Sequence, residues 1–276
     1  MCKNGDVVVV SINHRLNILG YLDLSPFGEK YKNSGNAGHA DMVAALQWVH
    51  DNIHLFGGDP ENVTIFGQSG GGMKVADLMQ IEAADGLFHR AMIMSGVGSA
   101  SLMPSCTGNG CAIVTALLKE LGITESEVSA EDVEKLESIP YYALADAYTK
   151  VSPMVAMQGE YIGGAPMVNE YFKGNPLDYG FREHAFDIPV GSVFGEFAFM
   201  PAEYDKNALM EEQTKQIISA VYGENTEEMI EAFQKAYPGK HPTDLLFIDR
   251  VMRQPSKAIA KLHASGKKAG TYLYDF

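Results

Sequence analysis

Residues 67–71 have the types and spacing of a serine nucleophile. They read Gly-Gln-Ser-Gly-Gly, follow the apolar run Val63–Phe66 and precede a helical segment that starts near Met73. A G-x-S-x-G segment between a strand and a helix makes a sharp, strained turn that exposes the serine hydroxyl at the carboxyl edge of a sheet. Its three glycines are expected to let the turn approach the sheet. Ser69 is therefore the predicted nucleophile, and the N–H of Gly70 the predicted oxyanion donor. The alternative is a glycine-rich turn whose serine caps the helix.

The segments that must position this turn alternate between strands and helices. Five runs have strand patterns: Val7–Ile12, Val63–Phe66, Ala91–Ser95, Ile188–Val193 and Thr271–Phe276. After a turn at 35–38, apolar residues recur at helical spacing from Met42 to Ile53. A second helical segment starts near Met73, and two more are predicted over about 207–235 and 243–264. This alternation predicts an α/β fold with a mostly parallel, doubly wound sheet.

The region from about 105 to 187 lacks a strand series. Helical patterns over 112–121 and 131–137 alternate there with loops that contain Pro and Gly. No Pro/Ser-rich linker or charge run divides the chain. We therefore expect one domain over 1–276, with a helical insertion over 105–187 that caps the sheet.

The composition excludes several classes of partner. The 276 residues include 21 basic and 35 acidic side chains, a formal net charge of −14. This balance argues against binding to nucleic acid and to anionic membrane surfaces. No apolar run is long enough to span a bilayer. No group of Cys, His and carboxylate residues has the spacing of metal ligands, so neither a metal nor another cofactor is expected.

The three cysteines do not form the pattern of a disulfide framework. Cys106 and Cys111 enclose a short loop and would be able to pair in an exported protein, but two free thiols are the preferred interpretation. The residues before Val7 lack the apolar core of a signal peptide. The sequence leaves a cytoplasmic and a secreted location equally open.

Longer stretches around Ser69 resemble the type-B carboxylesterase family, which includes para-nitrobenzyl-type esterases and cholinesterases. Residues 13–22 resemble the family's N-Y-R-L…G-F-L segment, and residues 35–49 its G-N-x-G-L-x-D-Q…A-L-x-W-V segment. Residues 52–67 resemble the signature that leads into the serine, and residues 272–276 a late strand. The likeness covers most of the chain and is weakest between about 105 and 185. It implies an α/β-hydrolase fold, apparently truncated at both ends.

The resemblance also implies the acid of a catalytic triad. The family carries a glutamate after a strand whose motif is roughly G-x-x-x-D-E-G, and residues 191–196 match it except at Gly195, where an acidic residue is usual. Glu196 is therefore the expected acid, and a carboxylate that follows a parallel strand lies at the same edge as Ser69. The alternatives are an ordinary surface glutamate here, or Asp187 or Asp205 as the acid, although Asp187 precedes its strand.

Two parts of the family's machinery have no counterpart in this sequence. The family's H-G-G-G-like oxyanion loop lies before the strand that corresponds to Val7–Ile12, and no Gly-Gly pair precedes Val7. The family's general base is a histidine that follows the strand matched by the end of this sequence, and none of the eight histidines comes after Phe276. We expect His263 at the amino edge of the sheet and His241 in an exposed loop. His39 stands where the family usually has an apolar residue, so packing or pocket lining is expected there.

These features predict a carboxylic ester hydrolase in which Ser69 attacks a small-molecule carboxylic ester and forms an acyl-enzyme. Glu196 would orient a histidine absent from this chain, and without that base a serine is a weak nucleophile. One alternative is a non-catalytic fragment or interaction module of the same fold, which the intact serine turn disfavours. Others are a lipase, thioesterase or peptidase, and one piece of an assembly in which another chain supplies the histidine. The abrupt termini predict exposed apolar surface and hence a homodimer.

Overall fold

The computed structural model describes residues 1–97, 108–125, 127–183, 186–196, 205–249, 251–266 and 268–276. The helices within these ranges are α1 (Cys2–Gly5), α2 (Asn17–Tyr21), α3 (Ala37–Asn52), α4 (Gly70–Leu78), α5 (Cys111–Glu120), α6 (Ala130–Lys135), α7 (Tyr141–Met157), α8 (Pro176–Tyr179), α9 (Glu211–Tyr222), α10 (Thr226–Ala236) and α11 (Arg253–Ser265). The strands are β1 (Thr64–Gln68), β2 (Arg90–Met94), β3 (Ile188–Ser192) and β4 (Thr271–Asp275). No helix in the ranges given is both long and apolar enough to cross a membrane.

The strands form one parallel sheet in which they lie in chain order, β1-β2-β3-β4. Their carboxyl ends therefore meet at one edge of the sheet, at Gln68, Met94, Ser192 and Asp275. The central strands β2 and β3 carry fully buried apolar side chains such as Ile93. This burial is typical of a parallel strand that is covered on both faces. The architecture confirms the predicted α/β fold with a mostly parallel sheet.

The largest hydrophobic cluster joins the sheet to α3, α4 and α11. The apolar side of α3 is buried as its spacing predicts, with Met42 and Leu46 in this cluster. α4 contributes Val75, and α11 contributes Ile259, which packs with Ile188 of β3 in the same cluster. These contacts hold α3, and α4 that begins at the Ser69 turn, against the core of the sheet.

The run Val7–Ile12 is not a strand, although its β-branched residues predict one. The structure gives it no strand assignment, and its side chains are exposed, from 52% at Val7 to 39% at Ile12. A β-branched run favours extended backbone, but a strand forms only where a neighbouring strand supplies hydrogen-bond partners. In the described sheet β1 is an edge strand that bonds β2 alone. The prediction is wrong here because local residue preference does not supply a partner.

Helices α5, α6 and α7 build a second hydrophobic cluster. It contains Leu117 and Leu118 of α5, Val133 of α6 and Leu144 of α7, all buried. The helical patterns predicted over 112–121 and 131–137 are confirmed by α5 and α6. The division of the chain into one domain with an insertion over 105–187 stays a prediction. Cys111 begins α5 as a free, exposed thiol, whereas Cys106 lies outside the described residues.

The predicted helices over 207–235 and 243–264 are shorter and more divided in the structure. α9 ends at Tyr222, because the φ of 55° at Gly223 takes the backbone out of the right-handed helix, and α10 begins at Thr226. The second segment starts as a 3₁₀ turn, Pro242–Phe247, and becomes α-helical only at Arg253. The Asp249 carboxylate accepts the N–H of Arg253 and of the two residues before it, which starts α11 there. Periodicity alone does not detect these interruptions.

His263 lies at the amino edge of the sheet, as expected. Its Nδ1 is 2.7 Å from Oγ1 of Thr271, the first residue of β4. Burial lowers the pKa of His263, and the Asp187 carboxylate opposes that shift. The folded-state pKa therefore lies below the unfolded value of about 6.5. In this case the unfolded chain takes up the proton first, so protonation of this residue favours unfolding.

The stability that His263 contributes is expected to be complete above about pH 7.5 and to fall as the pH drops through about 6.5. Replacing His263 by glutamine keeps a polar partner for Thr271 but removes the titration. Urea unfolding of both proteins at pH 5.5 and 7.5 should show a smaller pH dependence in the variant. An unchanged pH dependence would contradict the assignment.

Candidate active site

Ser69 occupies the turn between β1 and α4 in a strained conformation. Its φ of 55° and ψ of −123° are unusual for a residue with a side chain and cost roughly 1–3 kcal/mol. The turn is held by two backbone hydrogen bonds, from Ser69 N to the Met94 carbonyl at 2.9 Å and from Met73 N to the Ser69 carbonyl at 3.0 Å. The residue is exposed. Its hydroxyl therefore stands at the carboxyl edge of the sheet, beside the first N–H groups of α4.

The glycines around this turn differ in how much space a side chain would have at each position. A Cβ on Gly67 would lie 2.3 Å from the carbonyl oxygen of Gly71, so only glycine fits at position 67. Gly70 and Gly71 face open space, so the expectation that they too allow a close approach is wrong. The close approach instead joins Gly72 to Gly96, where a Cβ on Gly96 would lie 2.4 Å from the Gly72 Cα. Gly96 follows β2, far from the motif in sequence, and no local pattern indicates this contact.

Glu196 lies at the same edge of the sheet as Ser69, beyond the end of β3. Its Oε1 accepts hydrogen bonds from the Ser95 hydroxyl and from the Val193 N–H at 3.0 Å. Within the described part of the chain its Oε2 makes no hydrogen bond. Burial and the Glu196 charge together raise the pKa of Tyr274 in β4. Because β2 lies between β1 and β3, Ser95 stands between the Glu196 carboxylate and the Ser69 turn.

Ser95 is a site residue that the sequence-based reasoning missed. It directly follows β2, is 6% exposed and has a φ of 47°. Its N–H donates to the Gly191 carbonyl of β3 at 2.8 Å, which fixes the backbone from which its hydroxyl reaches Glu196. The only signal in the sequence is a serine at the carboxyl end of a predicted strand, which is common to many loops.

Replacing Ser95 by alanine is expected to lower the free energy of unfolding by about 1.5–3 kcal/mol, because a hydrogen bond to an ionised carboxylate is lost in a largely buried place. Urea denaturation measures the loss. The matched control is Ser219→Ala, where the serine hydroxyl donates to the Gln216 carbonyl on an exposed helix surface, and there the change should stay within about 0.5 kcal/mol. Equal effects in the two variants would contradict a special role for the Ser95 bond.

The other candidate acids are used elsewhere. Asp187 accepts the Gly270 N–H at 2.7 Å, at the amino edge of β3 and β4. Asp205 accepts the Asn207 N–H at 3.0 Å and so caps a short 3₁₀ turn. Neither hydrogen bond brings the carboxylate to the Ser69 turn.

No described histidine is hydrogen-bonded to Ser69 or to Glu196. His241 is half-buried and caps its own turn, with Nδ1 2.8 Å from Thr243 Oγ1. His184, which the sequence leaves without a role, lies outside the described residues. Within the same ranges no group of three His, Cys, Asp or Glu side chains is placed to hold a metal ion.

His39 packs in the core, in a buried cluster between α3 and the carboxyl-terminal part of α4. Its imidazole is fully buried on α3, with Nε2 3.3 Å from the Asp77 carboxylate on α4. It stacks on Phe172 at 5.1 Å between ring centroids and meets the edge of Tyr21 at 5.5 Å. Burial and then the Asp77 charge raise the pKa of Tyr21, and burial lowers that of Lys74. Of the two predicted roles the structure selects packing over pocket lining.

The family model described as "Carboxylesterase family" matches residues 1–276, which is the whole chain. The chain belongs to the carboxylesterase family. Para-nitrobenzyl esterase from Bacillus subtilis is 43% identical over 141 residues, which cover 49% of this chain and 28% of that enzyme. Human cocaine esterase is 41% identical over 116 residues, 42% of this chain and 20% of that protein.

Solved structures place this carboxylesterase-family chain in the α/β-hydrolase fold. A Clostridium hathewayi esterase that can hydrolyse aliphatic aromatic polyesters is 50% identical, with a TM-score of 0.91 over 99% of this chain and 53% of that one. A Geobacillus stearothermophilus carboxylesterase is 30% identical, with a TM-score of 0.65 over 100% of this chain and 56% of the other. The chain therefore spans about half the length of these solved relatives.

Proposed function

We propose that this chain carries the nucleophile and the acid of a carboxylic ester hydrolase, Ser69 and Glu196, and that a histidine absent from the chain completes the triad. The observation that carries the proposal is the conformation of Ser69, which is strained, exposed and set at the start of α4. Strain of this kind persists only where the surrounding structure enforces it. Membership of the carboxylesterase family supports the same reaction.

The proposed reaction proceeds through an acyl-enzyme. The Ser69 hydroxyl attacks the ester carbonyl while the histidine takes its proton, and the N–H of Gly70 donates to the oxyanion that develops. Glu196 orients the histidine and stabilises its charged form. Its Oε1 is occupied by Ser95 and Val193, which leaves Oε2 to accept the imidazole N–H. Water then releases the carboxylic acid.

The relatives suggest which esters to test first. Para-nitrobenzyl esterase is named for esters of a small aromatic alcohol, and the C. hathewayi enzyme acts on aliphatic aromatic polyesters. The 50% identity to the latter over nearly the whole chain favours such polyesters as a substrate class. An assay on a polyester film would follow the carboxylic acid released into solution. This assay tests neither the homodimer nor the insertion over 105–187 that the sequence predicts.

The direct test compares the 276-residue chain with its Ser69→Ala variant on p-nitrophenyl butyrate. Because the proposed base is absent, slow hydrolysis is expected, several powers of ten below that of a complete triad. That slow rate should disappear in Ser69→Ala. Labelling of Ser69 by a fluorophosphonate, located by peptide mass spectrometry, supplies a readout that does not depend on turnover.

The outcomes separate the parts of the proposal. A rate that is unchanged by Ser69→Ala, together with labelling elsewhere, would refute Ser69 as the nucleophile. Turnover at ordinary esterase rates that still depends on Ser69 would show that another residue acts as base, and would remove the missing histidine from the proposal. Gly71→Ala is the matched control, because its Cβ meets open space in the same turn.

A further inference from the structure

An open groove of about 450 Å³ runs between α5 and α7. Lys150 of α7 lies 3.1 Å from Glu120, at the end of α5. Across the groove, residues of α5 that precede Glu120 face residues that follow Lys150 on α7. The two helices therefore run antiparallel. These helices belong to the second hydrophobic cluster and not to the one that packs on the sheet.

The walls of the groove come from two helical stripes with the same i, i+3, i+4, i+7 spacing. The stripe on α5 is Ala112, Thr115, Ala116 and Lys119, and the stripe on α7, which runs on to the residue just after the helix, is Val151, Met154, Val155 and Gln158. The space arises because the side chains on α5 are small where they face longer ones on α7. Met154 is 66% exposed, and methionine adapts its shape to a ligand at little cost.

The charges around the groove are asymmetric. Lys119 has no carboxylate within 4 Å among the described residues, whereas the neighbouring Lys150 is paired with both Glu120 and Asp146. At the opposite end lies Cys111. Burial raises the pKa of the Cys111 thiol, and the negative charges of Asp23 and Glu160 add to that shift. One end of the groove therefore carries a lysine without a paired carboxylate in the described chain, and the other end lies near the carboxylates of Asp23 and Glu160.

We propose that this groove binds a fatty acid anion of medium chain length, with the carboxylate at Lys119 and the alkyl chain between Ala116 and Met154. From Ala112 to Lys119 the groove is about 10 Å long at 1.5 Å per residue, which suits an alkyl chain of this class. Lys119 is the one charged residue among its lining residues, so the remainder of the wall matches an uncharged tail. None of the lining residues belongs to the Ser69 site, so binding here does not depend on the proposed function.

Calorimetric titration with decanoate below its critical micelle concentration tests the proposal. Lys119→Gln should weaken binding by about three- to tenfold, as expected for loss of a charge-assisted contact at an exposed site. Ala116→Phe should abolish binding by filling the groove. Lys261→Gln removes an exposed lysine from α11 and should leave the affinity unchanged. Decanol, which has the same tail without the charge, should bind more weakly than decanoate.

Alkylation of Cys111 provides a second readout, because its thiol lines the groove. Decanoate should slow the reaction of Cys111 with iodoacetamide and leave that of Cys2, an exposed thiol that does not line the groove, unchanged. Peptide mass spectrometry separates the two sites. Equal affinity in the wild type and Lys119→Gln, or no protection of Cys111 at saturating decanoate, would overturn the proposal. Protection of both thiols alike would show non-specific adsorption and overturn it as well.

Discussion

Replacing His39 by leucine is expected to lower the free energy of unfolding by about 3–5 kcal/mol. The substitution leaves the Asp77 carboxylate on α4 without its one hydrogen-bond partner in the described chain. That carboxylate is 8% exposed and has the fully buried Tyr21 ring nearby, so water compensates little of the loss. A buried charge whose partner has been removed is among the few causes of losses this large.

The double variant distinguishes this mechanism from loss of packing. With both His39 and Asp77 replaced by leucine no carboxylate is left unpaired at this position, and replacing a buried pair by apolar residues is often neutral or stabilising. We therefore expect the double variant to recover most of the loss, which urea denaturation of the four proteins would measure as a coupling energy. The exposed pair Lys32–Glu29 is the control and should show coupling of at most about 1 kcal/mol. Single losses that simply add would refute the argument.

Replacing Gly96 by alanine is expected to cost about 3 kcal/mol or more of folding free energy. The new Cβ would lie 2.4 Å from both the Gly72 Cα and the Ser69 carbonyl oxygen. Both contacts are to backbone, so no side chain is available to rotate away and the turn itself has to move. The same displacement would disturb Ser69, so the proposed labelling of its hydroxyl should slow in this variant.

Gly71→Ala is the matched control for Gly96→Ala. A Cβ on Gly71 meets nothing within 4 Å, and the residue belongs to α4. Alanine in a helix is favoured over glycine by about 0.5–1 kcal/mol, so this variant should be as stable as the wild type or slightly more so. Thermal or urea unfolding of the two variants gives the comparison. Comparable losses in both would show that the turn tolerates no substitution and that the Gly72–Gly96 contact is not the cause.

Much of the fold could be predicted because it rests on local patterns. The strand before Ser69, the helix after it and the apolar stripe of α3 each repeat over a few residues, and all three were confirmed. The strand predicted at Val7–Ile12 failed because extended backbone becomes a strand only beside a partner. The helix predicted over 243–264 is longer than α11. Asp249 is not part of the periodic pattern, yet its carboxylate accepts the backbone N–H at Arg253, where α11 begins.

By itself the sequence determined the serine turn, the family that the chain resembles and the alternation of strands and helices that builds a parallel sheet. Each of these features depends on residues that are close together in the sequence. Only the tertiary structure decided that Ser95 holds Glu196, that His39 meets Asp77, and that Gly72 touches Gly96. The first of these pairs is separated by 101 residues and the second by 38. Contacts between residues so far apart in the sequence depend on how helices and strands pack. The spacing of neighbouring residues does not predict them.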